Sequence, residues 1–209
     1  MIVIGVTGGV GTGKTTVANM LKRLGAAVVL DADALAHQAM EPRRLAWREI
    51  VKAFGEGVLN DDQTVNRKRL AALVFQDEQS RRRIERIIHP RVLREIKVRL
   101  HRLRRTRKMQ VVVLDIPLLI EAGAQDLADV LVVVTAPPDV QRKRLRDTFG
   151  WTDEEITARI SAQWDLSAKA ALADLVVDNG DGVEATRTQV KRLWNRLVPH
   201  SSKSSTSRR

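Results

Sequence analysis

The residues best suited to chemistry stand at positions 8–15, Gly-Gly-Val-Gly-Thr-Gly-Lys-Thr, directly behind the apolar run 2–6, Ile-Val-Ile-Gly-Val. The pattern is Gly-x-x-x-x-Gly-Lys-[Ser/Thr], a phosphate-binding loop. A polyphosphate must be ringed closely by backbone N–H groups, and Gly8, Gly9, Gly11 and Gly13 keep that approach free of side chains. Lys14 offers a mobile cation to the β- and γ-phosphates, and the Thr15 hydroxyl is set to ligate Mg²⁺. Three acids follow. Asp31 and Asp33 end the short apolar run 27–30; two residues apart on extended chain, they point the same way. One can then touch a phosphate acceptor while the other meets metal-bound water or a second group of the acceptor. Asp33 also stands where a helix N-cap would precede Ala34-Leu35-Ala36. Asp115 closes the apolar run 110–114, where it would hold Mg²⁺ directly or through water.

These residues need a scaffold, and the spacing supplies one. The phosphate loop lies between a β-branched run and a helix with Val17, Met20 or Leu21, and Leu24 on one face, capped by Gly25. Continuous apolar runs at 111–114 and 129–134 read as parallel strands buried on both faces, and 174–178 as a last strand. Acids at the carboxyl ends of such strands face the ligand crevice of a doubly wound sheet.

Between the second and third strands, 34–108 reads as nearly all helical. Leu45, Trp47, Ile50, Val51 and Phe54 share a face; Leu70, Leu73, Val74 and Phe75 follow, then Ile84, Ile87 and Ile88. Pro90 predicts a new helix start after His89. A basic helix at 139–149 and a capping box at Thr152-x-x-Glu155 suit a mobile lid over the nucleotide. A final helix carries Val183, Val190, Leu193, Trp194 and Leu197 on one face, and 200–209 cannot bury apolar area and is expected to be disordered.

The chain has 209 residues, a formal net charge of +11 and a pI near 10.8. That length suits one α/β domain. The N-terminus has no leader pattern, no apolar run is long enough to span a bilayer, and zero Cys excludes disulfides and thiolate metal sites. A cytoplasmic protein is expected. Much of the positive excess sits at 99–108 and in the tail, and aromatics are 3%. Nucleic-acid stacking platforms are therefore not in evidence, and no specific nucleic-acid partner is expected. The four His (37, 89, 101, 200) are scattered and read as structural.

With these segments assembled, the chain resembles the dephospho-CoA kinase family, small P-loop kinases that phosphorylate the ribose 3′-hydroxyl of dephospho-CoA. The matching blocks run from 5–16 through Asp31-Ala32-Asp33, Arg67-Lys68-Arg69-Leu70, His89-Pro90, Asp115-Ile116-Pro117-Leu118-Leu119 with Glu121, Gln141 with Arg144, Gln163, and Asp178-Asn179. The resemblance implies a three-layer P-loop kinase domain over 1–199 with a five-stranded parallel sheet. It adds an acceptor-binding helical insertion at about 34–108 and a lid at about 139–165. It implies ATP and Mg²⁺ as cofactors and dephospho-CoA as the small-molecule partner; a monomer is expected, with an oligomer left open.

By position, the resemblance implies ATP binding by Gly9, Gly11, Thr12, Gly13, Lys14, Thr15, Thr16 and Arg144, and metal binding by Thr15 and Asp115. Asp33 becomes the general base, with Lys14 beside it, and Asp31, Asp33, Arg67, His89, Leu118, Leu119 and Glu121 face the acceptor. Two segments depart from the family pattern. Residues 62–67 read Asp-Gln-Thr-Val-Asn-Arg, without the usual Asp-Gly, and Thr148 and Phe149 stand where a second lid Arg and an Asp are expected. Either Arg144 or Arg146 stands in for that arginine, or transfer is slowed. The alternatives are another P-loop small-molecule kinase, acting on a nucleoside monophosphate, a sugar acid or shikimate, and a P-loop regulator whose basic segment 99–108 binds nucleic acid.

Overall fold

The computed structural model describes residues 1–26, 28–105 and 111–198, apart from the side chains of Phe75 and Gln76. Five strands, β1 (Ile2–Gly8), β2 (Val28–Asp31), β3 (Val111–Asp115), β4 (Val130–Thr135) and β5 (Leu175–Asp178), form one parallel sheet in the order β2-β3-β1-β4-β5. The phosphate loop leaves the central strand, as a doubly wound sheet requires of a ligand crevice. Expectations for Ala27, for 106–108, for Gln110, for the Phe75 side chain and for the tail 200–209 lie outside the described residues.

The apolar strand runs have a simple cause: both sheet faces are covered. Val3, Val112, Leu114, Leu131 and Val133 pack into one core, whereas their neighbours Ile4, Val111, Val113, Val132 and Val134 pack into the other. Successive side chains alternate faces, so a strand buried on both reads as a continuous run. The second core is closed by α1 (Lys14–Leu24), through Val17 and Leu21, and by a C-terminal helix, Val183–Leu197, through Val190, Leu193 and Trp194. The first is closed by the helical insertion: α2 (Ala32–Ala39), α3 (Leu45–Phe54), α4 (Arg67–Gln76) and α5 (Glu78–Arg104). After β4 come α6 (Pro138–Phe149), α7 (Asp153–Ser161) and α8 (Leu166–Ala171), leaving the C-terminal helix as α9.

The insertion departs from its periodicity in three places. α5 runs unbroken for 27 residues with Pro90 inside it, so Pro90 starts no new helix. A mid-helix proline costs roughly 3 kcal/mol. Ile87, Ile88, Val92, Ile96 and Leu100, all buried, lie on both sides of it, and burying each side chain returns about 1.5–3 kcal/mol. The guanidinium of Arg91 donates to the Ile87 carbonyl next to the proline and pairs with Glu49 at 2.5 Å. Leu45 and Leu73 are exposed rather than core, because Ala46 and Ile50, and Leu70, take the inward positions of their helices; outside the insertion Val183 is exposed for the same reason, with Val190 inward in α9. The stretch between α3 and α4 is not helical throughout: Leu59 and Val65 form an antiparallel bridge around a turn with Gln63 at φ 67°.

Candidate functional site

The donor side is assembled around two glycines. Gly11 and Gly13 have φ of 77° and 89°, the left-handed region that side chains avoid. At Gly13 a methyl group would also lie 2.2 Å from Asn179 Nδ2. Asn179 donates to the Thr12 carbonyl at 2.7 Å and accepts from the Thr186 hydroxyl at 2.7 Å, so the loop is pinned from the end of β5. Arg144, from α6, donates to the Asn179 carbonyl at 2.7 Å and lies 3.4–3.5 Å from the Thr12 and Gly11 carbonyls. Arg146 points elsewhere, to Asp153 at 3.2 Å. Of Arg144 and Arg146, it is Arg144 that reaches the loop. The Thr12 hydroxyl is buried and donates to the Gly9 carbonyl at 2.8 Å, so its side chain shapes the loop from within.

The acids converge at the carboxyl end of the sheet. Asp31 and Asp115 are register partners in the β2–β3 ladder. The Thr15 hydroxyl donates to Asp115 Oδ2 at 2.9 Å, joining the two residues expected to ligate a metal. Burial pushes the Asp115 carboxyl above its ordinary range; the Lys14 cation and the Thr15 hydrogen bond oppose this, and Asp31 and Asp33 reinforce it.

Helix α2 begins two residues earlier than the extended reading of 31–33 requires. Asp31 is the N-cap, accepting from the Asp33 and Ala34 amides at 2.8 and 3.1 Å, and Asp33 sits in the first helical turn. The cap role expected at Asp33 therefore belongs to Asp31, and the two side chains do not share one extended edge. The protein surrounding Asp33 pushes its carboxyl up, with the Asp31 charge adding to the shift and Lys14 and His37 working against it. The residue reaches solvent at the mouth of the crevice, so water screens part of this effect.

The acceptor side is a cavity of about 150 Å³ lined by Asp33, Ile88, His89, Val92, Pro117 and Leu118 among others. Three segments far apart in sequence meet here: α2, the middle of α5, and the turn after β3. The Thr7 hydroxyl donates to the Pro117 carbonyl at 2.9 Å and ties that turn to β1. Across Leu118 lies a second cavity, of about 380 Å³, bounded by Val10, Arg81, Trp151, Arg159 and Gln163.

The other expected acceptor residues sit differently. Leu119 is fully buried beside Gly5, where a methyl group would come within 2.8 Å of it, so it backs the wall and does not line it. Glu121 is turned inward onto Lys169, 2.5 Å away and wholly buried. Arg67 reaches His37 Nε2 at 2.9 Å and lines a separate cavity of about 510 Å³ with it.

His37 and Lys169 belong to this region without being among the residues expected there. His37 lies four residues after Asp33 on one helix face, a signal available in the spacing. Lys169 had none, since a lysine in an amphipathic helix reads as surface.

Among the described residues, no group of three or more His, Cys, Asp or Glu is arranged to hold a metal ion. Thr15 and Asp115 are two hard oxygen donors at the mouth of a phosphate loop, which suits Mg²⁺ shared with substrate phosphates rather than caged by protein alone. The donor set fits the ion.

Comparison with known proteins bears on the chain as a whole. A family model described as dephospho-CoA kinase matches residues 2–185. The dephospho-CoA kinase of Anaeromyxobacter dehalogenans is 46% identical over 193 residues, covering 92% of this chain and 90% of that one. The crystal structure of TT1252 from Thermus thermophilus superposes with a TM-score of 0.78 at 32% identity, covering 94% of this chain and 97% of the other. Dephospho-CoA kinase from Campylobacter jejuni shares the fold, with a TM-score of 0.67 at 24% identity over 93% of this chain and 96% of that one.

Proposed function

The chain belongs to the dephospho-CoA kinase family, and from that premise we propose how its own residues carry out ATP-dependent phosphorylation of the ribose 3′-hydroxyl of dephospho-CoA. The observation that carries the reading is the meeting of an apolar cavity and a phosphate loop at one carboxylate: Asp33 lines the cavity and lies within electrostatic reach of Lys14.

The triphosphate of ATP sits against the amides of the loop 8–15, with Lys14 on its outer phosphates. The acceptor ribose enters beside Asp33, between His89 and Leu118, and the rest of the acceptor extends past Leu118. A sugar hydroxyl is a poor nucleophile. Asp33 accepts its proton as the phosphoryl group transfers, and a carboxyl pushed above its ordinary range is a stronger base for that step. Lys14 and the loop amides meet the charge that develops on the equatorial oxygens. Thr15 and Asp115 would hold Mg²⁺, which when bound neutralises phosphate charge. Arg144 braces the loop that cradles the phosphates.

The reading includes a monomer working in the cytoplasm, one domain over 1–199 with the insertion and lid as arms, and no specific nucleic-acid partner. No helix among the described residues is long and apolar enough to cross a membrane.

The test is a coupled assay with ATP, Mg²⁺ and dephospho-CoA. ADP release should depend on the acceptor, with the new phosphate at the 3′ position. Asp33→Asn should lower kcat by roughly 10²–10⁴, the usual worth of a general base, while ATP affinity stays near wild type. Normal turnover by that variant would remove Asp33 from the mechanism.

A further inference from the structure

The short connector 162–165 between α7 and α8 touches both substrate sides at once. Gln163 Oε1 accepts from the Val10 amide, inside the phosphate loop, at 2.9 Å. The next residue, Trp164, donates its amide to Glu121 Oε1 at 3.4 Å. Five residues on, Lys169 closes on the same carboxylate oxygen at 2.5 Å with none of its surface exposed. Neither the second oxygen, Glu121 Oε2, nor Lys169 Nζ makes a hydrogen bond of good geometry, so charge and close contact alone join the two side chains. Glu121 ends the turn whose Leu118 faces both cavities, and that turn is fixed internally by Ala122 N donating to the Leu118 carbonyl at 2.9 Å. Asp165 caps α8, its carboxylate accepting from Ser167 N at 2.8 Å, so Lys169 is held at a set distance along the helix.

Stability alone does not account for this arrangement. A buried ion pair gains little or nothing over apolar residues of the same volume, and one with an unsatisfied oxygen gains less. What the pair does supply is direction. A buried ion pair is strongly attractive only at close approach, so it sets where the acceptor turn stands relative to α8, and the Gln163 hydrogen bond on the same connector sets the donor loop.

Resting on the kinase reading, we propose that Gln163 and the Glu121–Lys169 pair are positioning residues, which act through the 162–165 connector to hold the donor loop and the acceptor wall at one separation. Gln163 works through Val10, and the ion pair works through Leu118. The two ties then have separable kinetic signatures. A purely structural role would move both substrates together.

The experiment measures ATP affinity by equilibrium titration without acceptor, KM for each substrate, and Tm. It compares Gln163→Leu, the double substitution Glu121→Leu/Lys169→Met, and the combination. Gln163→Leu should weaken ATP binding about tenfold, the worth of about 1.4 kcal/mol, with acceptor KM within about twofold. The double substitution, which removes both buried charges at similar volume, should raise acceptor KM about tenfold with ATP affinity within about twofold. The combination should lower kcat by more than the product of the separate effects. Equal shifts in both KM values, or none, in variants that keep the wild-type Tm would overturn the proposal. If the double substitution fails to fold, Gln163→Leu alone decides, since an unchanged ATP affinity in that variant overturns the donor tie. Absent turnover of dephospho-CoA by the wild-type protein would sink the acceptor assignment instead, and the ATP titration of Gln163→Leu would still report on the connector.

Discussion

The two sides of the crevice are held by different means. On the donor side the chain is fixed by backbone geometry: Gly13 in a left-handed conformation, Asn179 on the Thr12 carbonyl, Thr12 on its own loop. On the acceptor side it is fixed by packing: Ile88 and Val92 of α5, Leu118 after β3, and Leu119 lodged beside Gly5. The first kind of order tolerates almost no change in shape. The second tolerates apolar substitution and yields gradually, so the donor side should fail abruptly and the acceptor side by degrees.

Substitutions that divide the two sides test this contrast. The largest effect is expected at Gly13→Ala. A left-handed alanine costs about 1–2 kcal/mol and overpacking against Asn179 another 1–3 kcal/mol, so ATP binding should fall at least about tenfold in a titration and Tm should drop by several degrees. An unchanged Tm would mean the loop adapts, and the contrast would fail. Leu118→Ala comes next. Losing about 1.5–3 kcal/mol of apolar contact should raise acceptor KM roughly tenfold or more, with KM for ATP within about twofold.

A smaller effect is expected in the pH profile. Asp33 must be ionised to accept a proton, and its carboxyl lies above the ordinary value, so kcat/KM should fall as the pH drops through that raised value, earlier than an ordinary aspartate would dictate. Asp33→Glu should shift that limb, whereas a limb that stays in place belongs to another group.

The smallest is a gain. Asp115 is buried with its carboxyl pushed up, so its charge opposes folding above that raised value and ceases to as protonation sets in below it. Asp115→Asn should therefore raise Tm at neutral pH by about 2–4 °C, the change produced by about 1 kcal/mol in a domain of this size, while turnover falls. The gain should shrink as the pH is lowered; a gain independent of pH would point to packing instead.

The contrast also explains what was readable in advance. The loop 8–15 and the five strands are written in residue types that few local geometries accommodate, whereas the hydrogen bond that joins Thr15 to Asp115 spans 100 residues and comes from the fold. The Thr152–Glu155 capping box follows from an equally local signal and is present with both of its hydrogen bonds, whereas the choice between Arg144 and Arg146 is left open by the sequence and turns on contacts to residues 11, 12 and 179. The insertion is different. Whether Leu45 or Ala46 faces inward, and whether Pro90 breaks a helix, depends on which neighbour arrives, and periodicity within one helix does not carry that information. Glu121 reads as a residue facing the crevice until α8 delivers Lys169 to it, and α2 starting at Ala32 moves Asp33 from a strand edge onto a helical turn. In the insertion and at Glu121 the deciding partner is distant in sequence; at Asp33 it is local, the Asp31 carboxylate that caps the helix from two and three residues away.

The pairing of Asp31 opposite Asp115 in adjacent strands has a consequence for durability. Their spacing is measured out by backbone ladders rather than by the side chains around them, and a slip of one residue would turn one of them to the opposite face. Warming that loosens the surrounding helices should leave this interval intact until the sheet itself parts. Amides of β1 and β3 should accordingly be among the slowest in the chain to exchange with heavy water, outlasting those of α2 and α4.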